Sequence, residues 1–411
     1  MIDPTLTPEQ AVARLRRPGR PTILFDGRGG HDNAWPTRVA IDPAPSSDRL
    51  ETIDRTARQR RKRGGPGGTG IAVVLAYELF AGRSEPGLPR CASFTIDGSI
   101  EFPPGGAPRL IGPLDPPEGL QHPAKPASAF SSQPLRTSLP QPRYLDAVQR
   151  VQRHIAAGDI YQANLTQRFE CDFDGDPWAL YRSLTESTLA PRSAFVDAGA
   201  WALASVSPET FVDVDRDGIA TTLPIKGTRR RGETPEEDEA LKRDLLGSEK
   251  DRAELTMIVD LERNDLGRIA KVGTVEVREL AALKTYPAVH HLVATVTATL
   301  KEGTGFEDLV RAVFPGGSIT GAPKRRAIEI LESLEPVPRG YYTGSLFFLD
   351  DDGSTQSSIL IRSVVVHRGI AHLGAGGGVV ADSDPEGEWM ESNAKARALT
   401  RVLGFEPEEA E

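Results

Sequence analysis

The chain has 411 residues, 49 of them basic and 58 acidic, giving a formal net charge of −9; hydrophobic residues make up 38% and glycines number 40. This is enough apolar material for a large core and excludes global disorder, and the acidic balance argues against a dedicated nucleic-acid binder. No apolar run approaches the roughly 18 residues of a membrane span, the start MIDPTLTPEQ has no leader character, and two cysteines, Cys91 and Cys171, make no disulfide framework, so a protein of a reducing, cytoplasmic compartment is expected.

Ile23–Phe25 and Ile71–Phe80 are short apolar runs of strand character. Between them, Arg60–Gly70 (RRKRGGPGGTG) is basic and glycine-rich and reads as an exposed flexible loop. Prolines crowd the stretch from Pro86 to Pro142. Proline removes a backbone donor and interrupts helices and central strands, so edge strands and a long, partly ordered connection are expected there. From Tyr144 the pattern is denser. Leu145, Val148, Val151 and Ile155 recur at helical spacing, and Gly158 follows as a stop. Ala202–Asp215 and Ile219–Thr228 read as strands, Pro235–Ala270 as a long helix broken near Gly247, and His290–Leu300 as a β-branched strand. Arg325–Glu335 is a helix stopped by Pro336; Gly344–Asp350, Ser357–His367 and Ile370–Val380 are a run of strands; Trp389–Leu403 is a final helix. Helices mixed with strand pairs, without strict alternation, favour an α+β fold.

Several segments carry candidate chemistry. Leu373–Val380 (LGAGGGVV) is not a dinucleotide fingerprint, because Val379 stands where the third glycine belongs and no helix follows directly. Its glycines still let backbone approach a ligand and present N–H groups to an anion. Phe314–Lys324 (FPGGSITGAPK) has Ala322-Pro323 where a phosphate loop needs Lys-Ser/Thr; it leaves a turn with the hydroxyls of Ser318 and Thr320, feeding a helix with Pro323 in its first turn. Asp251 with Glu254, and Glu388 with Glu391, are carboxylates three apart on helical segments, hence on one face each. One such pair alone is usually a solvated face; four such oxygens around one cleft would suit Mg²⁺, a hard cation. Lys226 follows apolar residues at a strand end, where desolvation can make a lysine a nucleophile or base, and Glu209 sits at a similar strand–turn junction. Taken singly, each is more often a surface group.

In this order, GDIYQANLTQRF (Gly158–Phe169), SPE (Ser207–Glu209), PIKGT (Pro224–Thr228), AELTMIVDLERNDLGR (Ala253–Arg268), TYPAVHHLV (Thr285–Val293), FPGGSITGAPK, IRS (Ile361–Ser363), GAGGGVVADSDP (Gly374–Pro385) and the ending E-x-x-E-x-x-x-K-A-R (Glu388–Arg397) resemble the chorismate-utilising enzymes, the family of the large subunits of anthranilate synthase and aminodeoxychorismate synthase. The resemblance implies an α+β fold of the aminodeoxychorismate synthase kind: orthogonally packed antiparallel sheets flanked by helices in four layers, α/β/β/α. Residues 1–142, with the Pro-rich connection, would belong to the same compact unit as a chorismate-binding catalytic region at 143–411. It implies Mg²⁺ held directly by Glu254 and Glu391, with Asp251 and Glu388 beside them. Tyr342, Arg362, Gly376 and Gly378 match the groups gripping the enolpyruvyl side, Gly227 and Thr228 line the cleft, and His291, Lys395 and Ser318 match polar active-site positions.

Position 226 separates two branches of the family. Anthranilate synthases resemble P-I-A-G-T there and aminodeoxychorismate synthases P-I-K-G-T, as here. That likeness implies attack of Lys226 on C2 of chorismate while Glu209, as general acid, protonates the departing 4-hydroxyl; ammonia then adds at C4 and expels the lysine. No segment carries a glutaminase signature, so ammonia is expected from a separate glutaminase subunit. The rival readings are anthranilate synthase component I, aminating at C2, and isochorismate or salicylate synthase, using water.

Overall fold

The computed structural model describes residues 2–405 apart from 18, 29–33, 113–119, 121–129, 133, 134, 189, 287 and 288. Its sheets grow from the apolar runs. Gly70–Leu75 and Ser345–Asp350 are buried at every position, and a strand without a polar face must be covered on both sides. The two pair antiparallel, with Val73 opposite Phe347. Around them, among the described residues, a 10-stranded sheet runs from Ile225–Arg230 and Val289–Thr299 at one end to Cys91–Ile96 and Ala44–Pro45 at the other. A 12-stranded sheet runs from Gly321–Ala322 through Gln162–Gly175, Ile370–Val379, Ser363–His367, Trp201–Ser207 and Arg192–Asp197 to Thr22–Asp26, Arg38–Ile41, Gly98–Glu101 and Arg109–Ile111.

The apolar clusters give the layering. Ile23, Phe25, Ala194 and Val196 of the larger sheet pack with Ala72, Val74, Phe94 and Phe348 of the smaller one, so the two sheets face each other. The outer face of the smaller sheet is covered by the helices Leu50–Arg63, Glu249–Gly267 and Phe306–Val313. The outer face of the larger one is covered by Pro8–Leu15, Pro177–Ser187 and Pro385–Val402. The order is therefore helix, sheet, sheet, helix, as the family resemblance implied. Two further helices, Gln141–Ala156 and Lys324–Leu334, pack with Ala163, Leu165 and Val379 beside the strands that bear the glycine run.

Four local expectations need correction. Arg60–Arg63 is not loop but the last turn of the Leu50–Arg63 helix, and Arg60 is anchored by Asp351 at 2.7 Å and Asp97 at 2.6 Å. The glycine-rich continuation is held too, since the Gly68 N–H donates to Asp350 and the Thr69 hydroxyl to Asp351. The strand expected over Ile71–Phe80 ends at Leu75, and Tyr77–Phe80 is a 3₁₀ turn. In the Pro-rich stretch, Cys91–Ile96 is an internal strand between Gly70–Leu75 and Ala44–Pro45, because no proline falls between Pro89 and Pro103. Several of the prolines lie outside the described residues. The long helix breaks where expected, but Pro323 precedes its helix as the N-cap and does not sit inside it. Both cysteines are buried free thiols, and among the described residues no helix is long and apolar enough to cross a membrane.

One buried ion pair locks the layers together. The Arg339 guanidinium donates to Glu335 at 2.6 and 2.9 Å, to the Asn164 carbonyl at 2.7 Å and to the Ile319 carbonyl at 2.8 Å. Glu335 also accepts from the Thr166 backbone N–H at 3.1 Å. Arg339→Met would strand the Glu335 carboxylate without its cation, so it is expected to lower unfolding stability by about 3–5 kcal/mol. Denaturant unfolding of the variant measures this; an unchanged midpoint would show the pair to be dispensable.

Candidate active site

A cavity of about 670 Å³ opens between the helical layer carrying Glu249–Gly267 and the glycine-bearing end of the larger sheet. The cavity is lined by Glu209, Lys226, Gly227, Thr228, Asp251, Glu254, His291, Ser318, Tyr342, Arg362, Gly376, Gly378, Glu388, Glu391 and Lys395. Thr320, whose hydroxyl was the other candidate in its turn, does not line it and donates to the Gly316 carbonyl at 2.8 Å. The cavity wall also contains Asn164, Arg229, Ser248, Lys250 and Ile319, which sequence reasoning did not single out. Asn164 lay inside a quoted motif, and Arg229 and Lys250 lie beside chosen residues, but nothing in their own spacing marked them.

The position of Lys226 follows from a strand irregularity. Lys226 pairs with Leu292 and Thr228 with His291, so Gly227 is an extra residue in the ladder. Gly227 has φ +74, and a β-carbon there would come within 2.9 Å of Asp251 and Leu245; glycine alone fits both the conformation and the approach of the helix. Lys226 Nζ then stands 3.9 Å from Glu254 Oε2. Thr228 Oγ1 lies 2.9 Å from His291 Nδ1. Burial pushes the His291 imidazole down to about 4, so it is neutral at neutral pH.

Glu209 leaves the strand Trp201–Ser207 and is fixed by its backbone: its N–H donates to Ser207 Oγ at 3.2 Å and its carbonyl accepts from the Ile359 N–H at 3.1 Å. Its carboxylate accepts from Ser318 Oγ at 2.9 Å. Burial raises its pKa, against the Ser318 hydrogen bond and the charges of Lys226, Lys395 and Arg362. Arg362 holds a left-handed backbone, φ +49, and burial pulls its guanidinium below the usual range, opposed by Glu209. A strained non-glycine conformation of this kind persists only where surrounding structure imposes it.

The two carboxylate pairs reach the cavity from two helices. In Glu249–Gly267 the Ser248 hydroxyl caps the Asp251 N–H; in Pro385–Val402 Asp384 caps the Gly387 N–H. Asp251 accepts from Arg229 at 3.3 Å, Glu391 pairs with Lys395 at 2.6 Å, and Glu388 accepts from Ser383 Oγ at 2.7 Å. Lys395 also donates to the Gly376 carbonyl at 3.0 Å. Burial raises the pKa of Glu254, and the charges of Asp251 and Glu391 add to that rise against Lys226 and Lys250. Among the described residues no three acidic, imidazole or thiol groups gather tightly enough to enclose a metal. Mg²⁺ does not ask for such a cage: it is held through one or two carboxylates while keeping waters and substrate oxygens. Burial, with the charge of Glu391 added, raises Glu254 and Glu388, while the Lys395 ammonium outweighs burial and holds Glu391 below the usual range. Hard carboxylates brought together from two helices are a donor set a dication would relieve, so the residues present fit it.

The lining holds five cationic side chains, Lys226, Arg229, Lys250, Arg362 and Lys395, and five carboxyls, Glu209, Asp251, Glu254, Glu388 and Glu391. To this balance of charges the run Gly374–Gly378 adds close backbone. A β-carbon on Gly376 would fall 2.2 Å from the Leu165 carbonyl, so this strand can pack so closely only without side chains.

A family model described as chorismate binding enzyme matches residues 89–401. The chain is 49% identical over 260 residues to the aminodeoxychorismate synthase of Streptomyces griseus, covering 63% of this chain and 36% of that protein. It is 45% identical over 268 residues to aminodeoxychorismate synthase component 1 of Klebsiella aerogenes, covering 65% of this chain and 59% of that protein. It is also 44% identical over 260 residues to an anthranilate synthase component 1 of Haloarcula marismortui, covering 63% and 53%. The matches thus span between about a third and three fifths of these relatives' lengths. Among solved structures, anthranilate synthase component I of Streptococcus pneumoniae superposes with a TM-score of 0.71 at 25% identity, covering 94% of this chain and 93% of that one.

Proposed function

The chain belongs to the chorismate-binding enzymes, and on that premise we propose that it aminates chorismate with ammonia to give 4-amino-4-deoxychorismate, on the way to p-aminobenzoate and folate. The observation that carries this reading is Lys226 in the cavity with the buried, Ser318-bonded carboxyl of Glu209. A hydroxyl at C4 is a poor leaving group, and its replacement with retention calls for two displacements. Lys226, as the free amine, bonds to C2; both ring double bonds shift, C1=C2 to C1=C6 and C5=C6 to C4=C5, and the C4–O bond breaks as Glu209 gives its proton, releasing water. Ammonia bonds to C4, both double bonds shift back, and the C2–N bond breaks to return the lysine amine. The new C4 ammonium gives a proton back to Glu209, so the cycle closes with water as the other product.

Raised by burial, the Glu209 pKa keeps the acid form available at higher pH than an ordinary carboxylate would. Neutral His291, held by Thr228, is suited to hydrogen-bond the substrate without adding charge. Arg362, Tyr342 and the backbone at Gly376 and Gly378 would take the enolpyruvyl side. Glu254 and Glu391, with Glu388 and Asp251 beside them, would hold Mg²⁺, which when bound supplies positive charge for the ring carboxylate. The names of the relatives that call the chain's counterpart a component support a separate glutaminase subunit as the ammonia source, and two buried free thiols accord with a reducing, cytoplasmic setting.

Anthranilate synthase is the alternative favoured by an observation, the 44% identical relative; Lys226 counts against it. Chorismate should be consumed only with both Mg²⁺ and ammonia, and a chelator should stop turnover until Mg²⁺ is restored. Consumption with water in place of ammonia would overturn amination, and full activity in chelator would overturn the metal role of the carboxylates.

A further inference from the structure

The helix Gln141–Ala156 packs against Pro385–Val402, the helix that carries Glu388 and Glu391, and it brings one unmet polar group into that contact. Tyr144, in its first turn, is 0% exposed, and its Oη has no hydrogen-bond partner. The ring meets Trp389, the residue after Glu388, edge to face with centroids 5.4 Å apart. Ser392 lies one helical turn beyond Glu388, hence on the same face, and is buried too. Its Oγ accepts from Gln167 Nε2 at 2.9 Å. The electrostatics of the phenol agree with this placement. Burial raises its pKa, the charge of Glu388 adds to the rise, and the Ser392 hydroxyl opposes it. The Tyr144 hydroxyl therefore lies at the turn Glu388–Ser392. A buried hydroxyl without a partner is costly, and folded proteins keep few of them. Shape does not call for it, because the ring alone fills the space against Trp389.

We propose that Tyr144 is a positioning residue for the cation site: its hydroxyl steadies the Glu388 carboxylate from behind, so that this helix presents its acidic pair to the cavity. This rests on the reading of the four carboxylates as the holders of Mg²⁺. Glu388 is fixed at one oxygen only, where it accepts from Ser383 Oγ at 2.7 Å. An ionised carboxylate has about four acceptor sites, so a second donor has room. A phenol suits the task. It orients the carboxylate yet stays neutral, leaving the full charge for a dication, whereas an ammonium in its place would cancel that charge. Tyr144 does not line the cavity, so it acts through Glu388 and touches neither cation nor substrate.

Isothermal titration of Mg²⁺ into the chelator-stripped full chain, without chorismate, tests this. Tyr144→Phe should weaken Mg²⁺ binding about tenfold, as loss of a partner to a metal-site carboxylate does. Denaturant unfolding of the stripped variant should have a midpoint no lower than that of the unaltered protein, since only an unmet hydroxyl is gone. In a Glu388→Gln background the same change should leave Mg²⁺ affinity within about twofold, because Tyr144 then has no charged group to orient. Unchanged affinity in Tyr144→Phe, a tenfold loss repeated in the Glu388→Gln background, or a lowered midpoint in metal-free protein would overturn the inference and leave Tyr144 a packing residue. If the unaltered protein takes up no Mg²⁺, the reading of the carboxylates falls first and this inference with it.

Discussion

Replacing Lys226 by alanine stops 4-amino-4-deoxychorismate formation: kcat falls at least about a thousandfold, and the amination that remains shifts to C2. The shift follows from the chemistry. Without the amine, nothing opens C4 to a second displacement, and ammonia is left to take the position at C2 that the lysine would have occupied. The fold should survive. The Lys226 side chain has one ion pair, at 3.9 Å to Glu254, and sits on a strand held by Val289–Thr299. Unfolding should therefore move by no more than about 1 kcal/mol. Chromatography of the products against authentic anthranilate and, after adding a lyase, p-aminobenzoate reads both effects. The same product at the same rate would remove Lys226 from the chemistry.

Glu209→Gln should cost about two to four orders of magnitude in kcat, with KM for chorismate changed only a few-fold, because the amide keeps the shape but cannot protonate a leaving hydroxyl. The pH profile separates this from a packing defect. With the folded-state pKa of Glu209 raised, the protonated acid is present below that value and is lost as pH rises through it. The unaltered protein should thus lose kcat on the alkaline side of the raised pKa, and the variant should lose that limb. Linkage has the same sign: stability from the protonated buried carboxyl is complete below its unfolded pKa and disappears as pH rises through the folded one, so the variant should be less sensitive to alkaline pH. A limb that persists in the variant would assign the titration to another group.

Much of this site was legible because its parts are local. A carboxylate pair three apart shows its common face without any tertiary knowledge, and the break at Gly247 follows from a helix whose next residue, Ser248, caps the one after it. The glycine run announced close approach before its partner was known. What was not legible is what depends on register. That Gly378 lies opposite Asn164, and Gly376 opposite Thr166, joins segments some two hundred residues apart, and no periodicity encodes it. The same holds for Arg339, a single arginine after Pro338 that joins its neighbours Glu335 and Thr343 to the distant carbonyls of Asn164 and Ile319. Arg60–Gly70 misled because charge and glycine content signal exposure, whereas here Asp350 and Asp351 draw the segment in.

The most direct test is the position of the new nitrogen. The protein is incubated with chorismate, Mg²⁺ and isotopically labelled ammonia, and the product is examined by NMR before any lyase is added. Label on C4 of a ring that still carries its enolpyruvyl group is the predicted result. Label on C2, or anthranilate released without a lyase, would contradict it.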